Sequence, residues 1–506
     1  MSKLGWLLGL TAAISTECAS AATTLTYEPG STVKLYQVNG DCDWVEWDAT
    51  INQPHPTCKP TASQTATRAD ILGDDVPVVF EHNGEMIITF GDTFGANANR
   101  AKWTTHRNTY RWQAGDPIGR STSTTHPLKI DFFMNGDHAL EVTPPGIEMG
   151  ADDVPSAGIS VGGHIYLAVT TGTTSLGKGQ GHDRSGDKSV LAEFDEGHQT
   201  FLTGRVLSQP GGLFTRPAFH YGGDTSAVWV FGIGVKDKSG VNLSSIPAGS
   251  FWSGQGARYF KARNGDTPIW SSSEADAKPV VAAPFSTNDV PYFAVSYVQQ
   301  LGLWVMILDQ AGGGQNGGMY LTYANQPWGP WSKPQLIFNP CRDNAFGRFM
   351  FYYYKTKADN DCPSALPKNV SAPTDHGSSG PAGPTAGNQK KNIYDATRGI
   401  AYSPAIVDRF TTIQDGVLKL YYMISTWNPY AVVMMESGFR LSCTGTDSSS
   451  CFPHGPPVIH GPFRQPGQPL RSTSGRTDVP QDVAGRRRLR EAPAGLHRHS
   501  ASPRHR

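Results

Sequence analysis

Charge is scarce in this sequence and evenly split: Asp, Glu, Lys and Arg make up 17% of the 506 residues, with 43 of each sign. A chain without net charge has no field with which to draw in nucleic acid or an anionic membrane, so neither is an expected partner. Past the N-terminal segment no stretch approaches the roughly 20 consecutive apolar residues that a membrane-spanning helix needs. Cysteine is sparse, at seven, and no CxxC or Cys/His cluster has the spacing of a zinc site. Also missing are a GxSxG elbow, an HExxH helix, a Walker loop and a GxGxxG after a strand. Serine hydrolase, zinc protease and nucleotide-binding readings lose their support with them, and no cofactor is expected.

What the chain does have is turn formers and flat apolar side chains: 56 Gly, 37 Pro, 22 Phe, 18 Tyr and 12 Trp. That balance favours many short strands over long helices. The first 21 residues have the pattern of a secretory signal: Lys3, an apolar run from Trp6 to Ile14, and small residues at Ala19-Ser20-Ala21. A secreted, extracellular protein is therefore expected. Outside that signal lie Cys42, Cys58, Cys341, Cys362, Cys443 and Cys451, an even number suited to an oxidising compartment. Pairing each with its sequence neighbour is the simplest of the many connectivities six cysteines allow. Asn242-Leu-Ser and Asn369-Val-Ser are glycosylation sequons in polar contexts and would mark surface.

The most informative pattern is a recurring unit: an acidic residue, Val-Pro, an apolar strand, a Gly-containing turn and a second apolar strand. It stands at Asp75-Val-Pro, Asp153-Val-Pro and Asp289-Val-Pro, with weaker copies at Arg216-Pro and Tyr402-Ser-Pro. The turns Asn83-Gly84, Gly162-Gly163 and Asp415-Gly416 are strong hairpin signals. Five hairpin repeats, most followed by further strands, predict an all-β, five-bladed β-propeller over residues 22–452, because sheets this small must stack on their neighbours to bury their faces. Residues 356–393 are poor in apolar side chains and read as a loop insertion between the fourth and fifth repeats. From 453 to 506 Pro, His and Arg dominate, which predicts a basic, disordered tail.

In a propeller the starts of the innermost strands converge near the central axis. Here those starts are acidic: Asp74 and Asp75, Asp152 and Asp153, and Asp289. Carboxylates that share one cleft suit glycosidic bond cleavage, which needs one protonated acid and one ionised group. Crowding supplies the first, since like charges resist joint ionisation. An Asp before a strand also satisfies backbone N–H groups at turns, so a folding role stands beside the catalytic one. Asp92, in Phe90-Gly91-Asp92-Thr93-Phe94-Gly95, ends a strongly apolar strand and has the same two readings. Trp103, Arg107 and Asn108 form a polar, aromatic stretch that could contact sugar, and Trp427 in Trp427-Asn-Pro-Tyr430 could line the pocket or pack in the core. Trp328-Gly-Pro-Trp331 reads as packing between blades, and His164 and His220 as structural.

The segments GDDVPVVFEHNGEMIITFGDTFG, HRN about a dozen residues on, Gly329-Pro-Trp-Ser332 and YYMISTWNPYAVVMMES together resemble the family catalogued as domain of unknown function 4185, over roughly Asp70 to Ser437. That family is linked to glycoside hydrolase family 183, whose characterised activity is endo-D-arabinanase. The resemblance implies a five-bladed propeller hydrolysing furanoside linkages, a polysaccharide or oligosaccharide substrate, and action as a monomer. It implies Asp75 as general base at the first blade and Asp153 at the second, with Asp92 and Asn108 matching the family's GDTF Asp and its Asn after Arg. One departure is plain. Arabinanase-like propellers usually carry a Glu general acid at the third blade, where this chain has Thr215-Arg216-Pro217, so the acid would have to come from Glu148, Asp152 or elsewhere. If it is absent, a non-catalytic carbohydrate-binding propeller remains.

Overall fold

The computed structural model describes residues 23–43, 47–48, 53–54, 59–95, 115–147, 149–150, 153–175, 182–221, 226–234, 240–283, 290–310, 317–345, 348–350, 400–426 and 429–443. All of them fall in one compact unit, Met1–Phe463. The described residues form strands almost throughout, with one α-helix, Thr65–Ala69, and three 3₁₀ turns among them.

Five antiparallel sheets of four to six strands follow one another along the chain. Their innermost strands are Ile71–His82, Val154–Val161, Arg216–His220, Phe293–Val298 and Ala401–Ile406. Each of these packs on the next, and the fifth packs on the first, which closes a five-membered ring. The protein is therefore a five-bladed β-propeller, with the five repeat starts of the sequence at its five inner strands.

The physical reason lies in the second strand of each blade. Successive side chains of a strand point to opposite faces, and in a ring both faces of every blade are covered by a neighbour. These strands must then be apolar at consecutive positions rather than at alternate ones. In the first blade Ile87 joins Ile118, Leu167 and Val169 at the seam with the second blade, while the next residue, Ile88, joins Met423 and Met434 at the seam with the fifth. Ala168 meets Val228 and Phe251 between blades two and three. Phe231 meets Met306 and Leu308 between three and four, and Val305 and Ile307 meet Leu420 and Tyr422 between four and five. Five seams thus hold five separate apolar cores. Trp328 and Trp331 pack against the seam between blades three and four.

The ends of the domain fasten the ring. Thr23–Tyr27 and Val33–Gln37 both pair antiparallel with Ala431–Cys443, so the fifth blade is built from both ends of the chain. Cys42 and Cys341 are disulfide-bonded; their expected partners, Cys58 and Cys362, lie outside the described residues. The same is true of residues 1–21, the insertion at 356–393, the tail at 453–506 and the sequon at Asn369.

One expectation is corrected. Asn242 does not mark surface: it lies within Gly240–Pro247, a strand paired on both sides, and is only 2% exposed. Its amide Nδ2 donates to the Gly232 carbonyl at 3.4 Å. The polar context that suggested a loop is the Asn and Ser content of a buried strand, Asn242, Ser244 and Ser245 each being 2% exposed.

Candidate active site

Proline follows within two residues of the start of all five repeats, as Pro77, Pro155, Pro217, Pro291 and Pro404. Its ring fixes φ and its lack of an N–H suits a strand with an unpaired inner edge. Around this collar the blades bring Asp75, Asp153, Arg216, Tyr292 and Tyr402 toward one axis. Arg216 and Tyr292 also line a cavity of about 40 Å³ with walls from every blade, together with Val76, Val154 and Ser403.

Asp75 is oriented by distorted backbone. Val76 has φ 44° and Ser403 φ 50°, left-handed values at residues that each precede a proline. A β-branched residue held there costs roughly 1–3 kcal/mol. Strand register slips at both places, between Asp75 and Val78 and between Tyr402 and Ala405. Such bulges re-aim side chains, and here Tyr402 of the fifth blade donates its hydroxyl to Asp75 Oδ2 of the first at 2.7 Å. The Val76 N–H, turned out of the ladder, donates to Ser425 Oγ at 2.9 Å. Gly91 packs so closely that a Cβ on it would stand 2.7 Å from Val154 Cγ1 and 3.1 Å from Asp75 Oδ1. The glycine of the Gly-Asp-Thr-Phe block is therefore required by the approach of the first two blades.

Asp92 follows on the same strand and is half-buried, the most open of the described central carboxyls. Tyr430 donates its hydroxyl to the Asp92 carbonyl at 2.7 Å and sets its ring edge-on to Phe94 at 4.8 Å. The phenols of Tyr402 and Tyr430 are held far above their ordinary range, first by burial and then by the charge of Asp75. Both are neutral donors at any working pH.

Behind this row stand two acids that the sequence reading did not single out. Asp116 and Glu141 are 1% and 6% exposed and flank the bridge between Pro117 and Glu141. Burial pushes the Asp116 carboxyl well above the usual range, and the charges of Asp92, Glu141, Asp75 and Asp153 push it further. Asp74, fully buried, is raised by burial and then by its neighbour Asp75. Neither Asp116 nor Glu141 belongs to the repeat; the signal that could have flagged Asp116 is a Gly115-Asp116-Pro117 run directly before the strand Ile118–Ser121.

Asp153 is tied into its own loop. Its Oδ2 accepts from the Gly150 N–H at 2.8 Å and the Thr171 hydroxyl at 3.2 Å, and its Oδ1 from the Thr173 N–H at 3.1 Å. Burial raises its pKa and these bonds pull it back. This is the turn-satisfying role that an Asp before a strand commonly plays, in a residue that also adds its charge to Asp116.

Of the candidate residues, Asp74, Asp75, Asp92 and Asp153 thus converge, joined by Asp116, Glu141, Tyr402 and Tyr430. Asp152, Asp289, Trp103, Arg107, Asn108 and Trp427 lie outside the described residues, as does Glu148. Among the described residues no group of three or more His, Cys, Asp or Glu is arranged to hold a metal ion. No helix among them is long and apolar enough to cross a membrane.

The fold and this centre define a five-bladed propeller with an acidic axial site. The chain belongs to the family described as Domain of unknown function (DUF4185), whose family model matches residues 61–436. No curated protein matches the sequence. Among solved structures, a candidate hydrolase of Bacteroides ovatus is similar at 11% identity, over 77% of this chain and 90% of that one, with a TM-score of 0.41. An exo-beta-1,3-galactanase of Phanerochaete chrysosporium is similar at 8% identity over 83% of this chain, which spans 65% of the galactanase, with a TM-score of 0.37. An exo-1,5-alpha-L-arabinanase from a bovine ruminal metagenomic library is similar at 9% identity, over 75% of this chain and 96% of that one, with a TM-score of 0.32. Likenesses this distant carry no residue-by-residue correspondence.

Proposed function

We propose that the protein is a secreted glycoside hydrolase that cleaves furanosidic linkages in an arabinan-like polysaccharide. Asp75 and Asp92 are the carboxyls that meet the sugar, and Asp116 is the group behind them that retains a proton. The observation that carries this reading is the setting of Asp116, buried among Asp92, Glu141, Asp75 and Asp153. Carboxyls crowded in this way cannot all ionise, so the cluster holds proton-bearing and ionised members together near neutral pH. Glycosidic cleavage needs that combination: a proton for the leaving oxygen and a carboxylate to activate water or attack the sugar.

Tyr402 keeps the Asp75 carboxylate facing one way, and its neutral phenol stabilises negative charge there without competing for the proton. Asp153 serves as a positioning residue, because its oxygens already accept from Gly150, Thr171 and Thr173. The family link to endo-D-arabinanase supports the furanoside substrate, and the N-terminal signal pattern supports secretion.

The test is release of new reducing ends from arabinans and a panel of other polysaccharides by the wild type, Asp75→Asn and Asp92→Asn. Each variant should lose at least about 100-fold in rate while keeping the wild-type circular dichroism spectrum. Folded variants with full activity would remove these carboxyls from the chemistry. Binding of glycan without products by the wild type would instead make the protein a carbohydrate-binding propeller, a reading favoured by Arg216 standing where related propellers carry an acid.

A further inference from the structure

The axial cavity has a different character from the carboxyl cluster. Its walls, among them Val76, Val154, Arg216, Tyr292 and Ser403, include one cation and no acid. Arg216 is 8% exposed. Its Nη1 donates to the Pro291 carbonyl at 3.3 Å, its guanidinium lies over the Tyr292 ring at 4.8 Å, and its Nε has no hydrogen-bond partner. Among the described residues no carboxylate forms an ion pair with it. An arginine cannot shed its proton to escape such a position, and a buried charge is normally paired. The cavity walls place only apolar side chains and neutral polar groups beside the guanidinium.

We propose that this cavity is a site for a small monovalent anion of chloride size, held by Arg216. A volume of about 40 Å³ has room for a single small ion with a water or two beside it and is too small for a sugar ring. The unsatisfied Nε–H supplies the donor. Because Val76 and Val154 separate the cavity from Asp75 and Asp153 by one residue each, the bound anion also braces the inner strands that carry the acidic site. This inference stands on the cavity and Arg216 alone and does not depend on the glycosidase reading.

The experiment measures thermal unfolding of the full protein in sodium chloride against sodium gluconate at one fixed ionic strength. Gluconate is too large for the cavity, so it supplies the matching ionic strength without occupying the site. The midpoint should rise with chloride along a saturating curve, by roughly 2–4 °C at 100-fold over the dissociation constant. Bromide should act as chloride does. In Arg216→Met, which keeps the length and loses the charge, the chloride dependence should vanish. Equal midpoints in chloride and gluconate, or an undiminished chloride effect in the variant, would overturn the proposal. If the variant does not fold, crystals of the wild type grown in bromide decide: an anomalous peak in the axial cavity beside Arg216 supports the site, and its absence at full bromide refutes it.

Discussion

Tyr402 in the fifth blade donates its hydroxyl to Asp75 in the first at 2.7 Å, bridging 327 residues of sequence across the last seam of the ring. The bond exists because both inner strands break register beside a proline and turn these two side chains toward each other. Tyr402→Phe keeps the ring and removes the donor, so Asp75 loses the bond that aims its carboxyl. Hydrolysis should fall roughly 10-fold or more, the equivalent of one hydrogen bond to a charged group. Full activity in a folded variant would leave Tyr402 with packing alone.

Gly91 has no room for a methyl group. In Gly91→Ala the new Cβ meets Val154 Cγ1, Asp75 Oδ1 and the Val76 Cβ, and the two inner strands must part. The expected cost is about 1–3 kcal/mol of stability, read from denaturant unfolding, with a larger proportional loss of hydrolysis because Asp75 is displaced. Activity retained alongside reduced stability would separate Asp75 from the reaction.

His220 makes stability depend on pH on the acid side. Burial pushes its pKa down from 6.5 to about 4, and its ring meets Trp304 edge-on at 4.7 Å. The fold favours the neutral imidazole, so its contribution is fully present above 6.5 and is lost as pH falls from there through about 4. The loss amounts to at most about 3 kcal/mol. His220→Phe should flatten that part of the stability–pH curve while preserving the aromatic contact. A curve as steep as the wild type's would assign the acid sensitivity to other groups.

The closure of the ring by both ends of the chain is also testable. A chain beginning at Val38 lacks the two strands that pair with Ala431–Cys443, and it exposes a long strand edge that invites self-association. Its unfolding midpoint should fall by roughly 10 °C or more, with aggregation visible by light scattering. An unchanged midpoint would show that the fifth blade is complete without its N-terminal strands.

Much of this fold was legible because a propeller repeats. Proline near each strand start, a turn such as Asn83-Gly84, and strands apolar at consecutive positions such as Met86 to Phe90 recur five times, and each feature follows from local chain geometry. Asp75 was legible for the same reason, since it stands at a fixed place in the repeat, and Asp92 through the Gly-Asp-Thr-Phe block that ends an apolar strand. Asp116 and Glu141 were not, because no repeat carries them and only sheet pairing within the first blade brings them to the others. Asn242 was misread because polarity alone does not distinguish a loop from a buried strand that carries Asn and Ser.

The amino-acid sequence by itself determined the hairpins, their number and which strands must be buried on both faces, since these depend on residues a few positions apart. Tertiary structure alone decided which acids share an environment, which of them are spoken for by backbone donors, and where the buried Arg216 lies. Those properties depend on distance and desolvation between residues hundreds of positions apart, and such distances come into being only when the fifth blade meets the first.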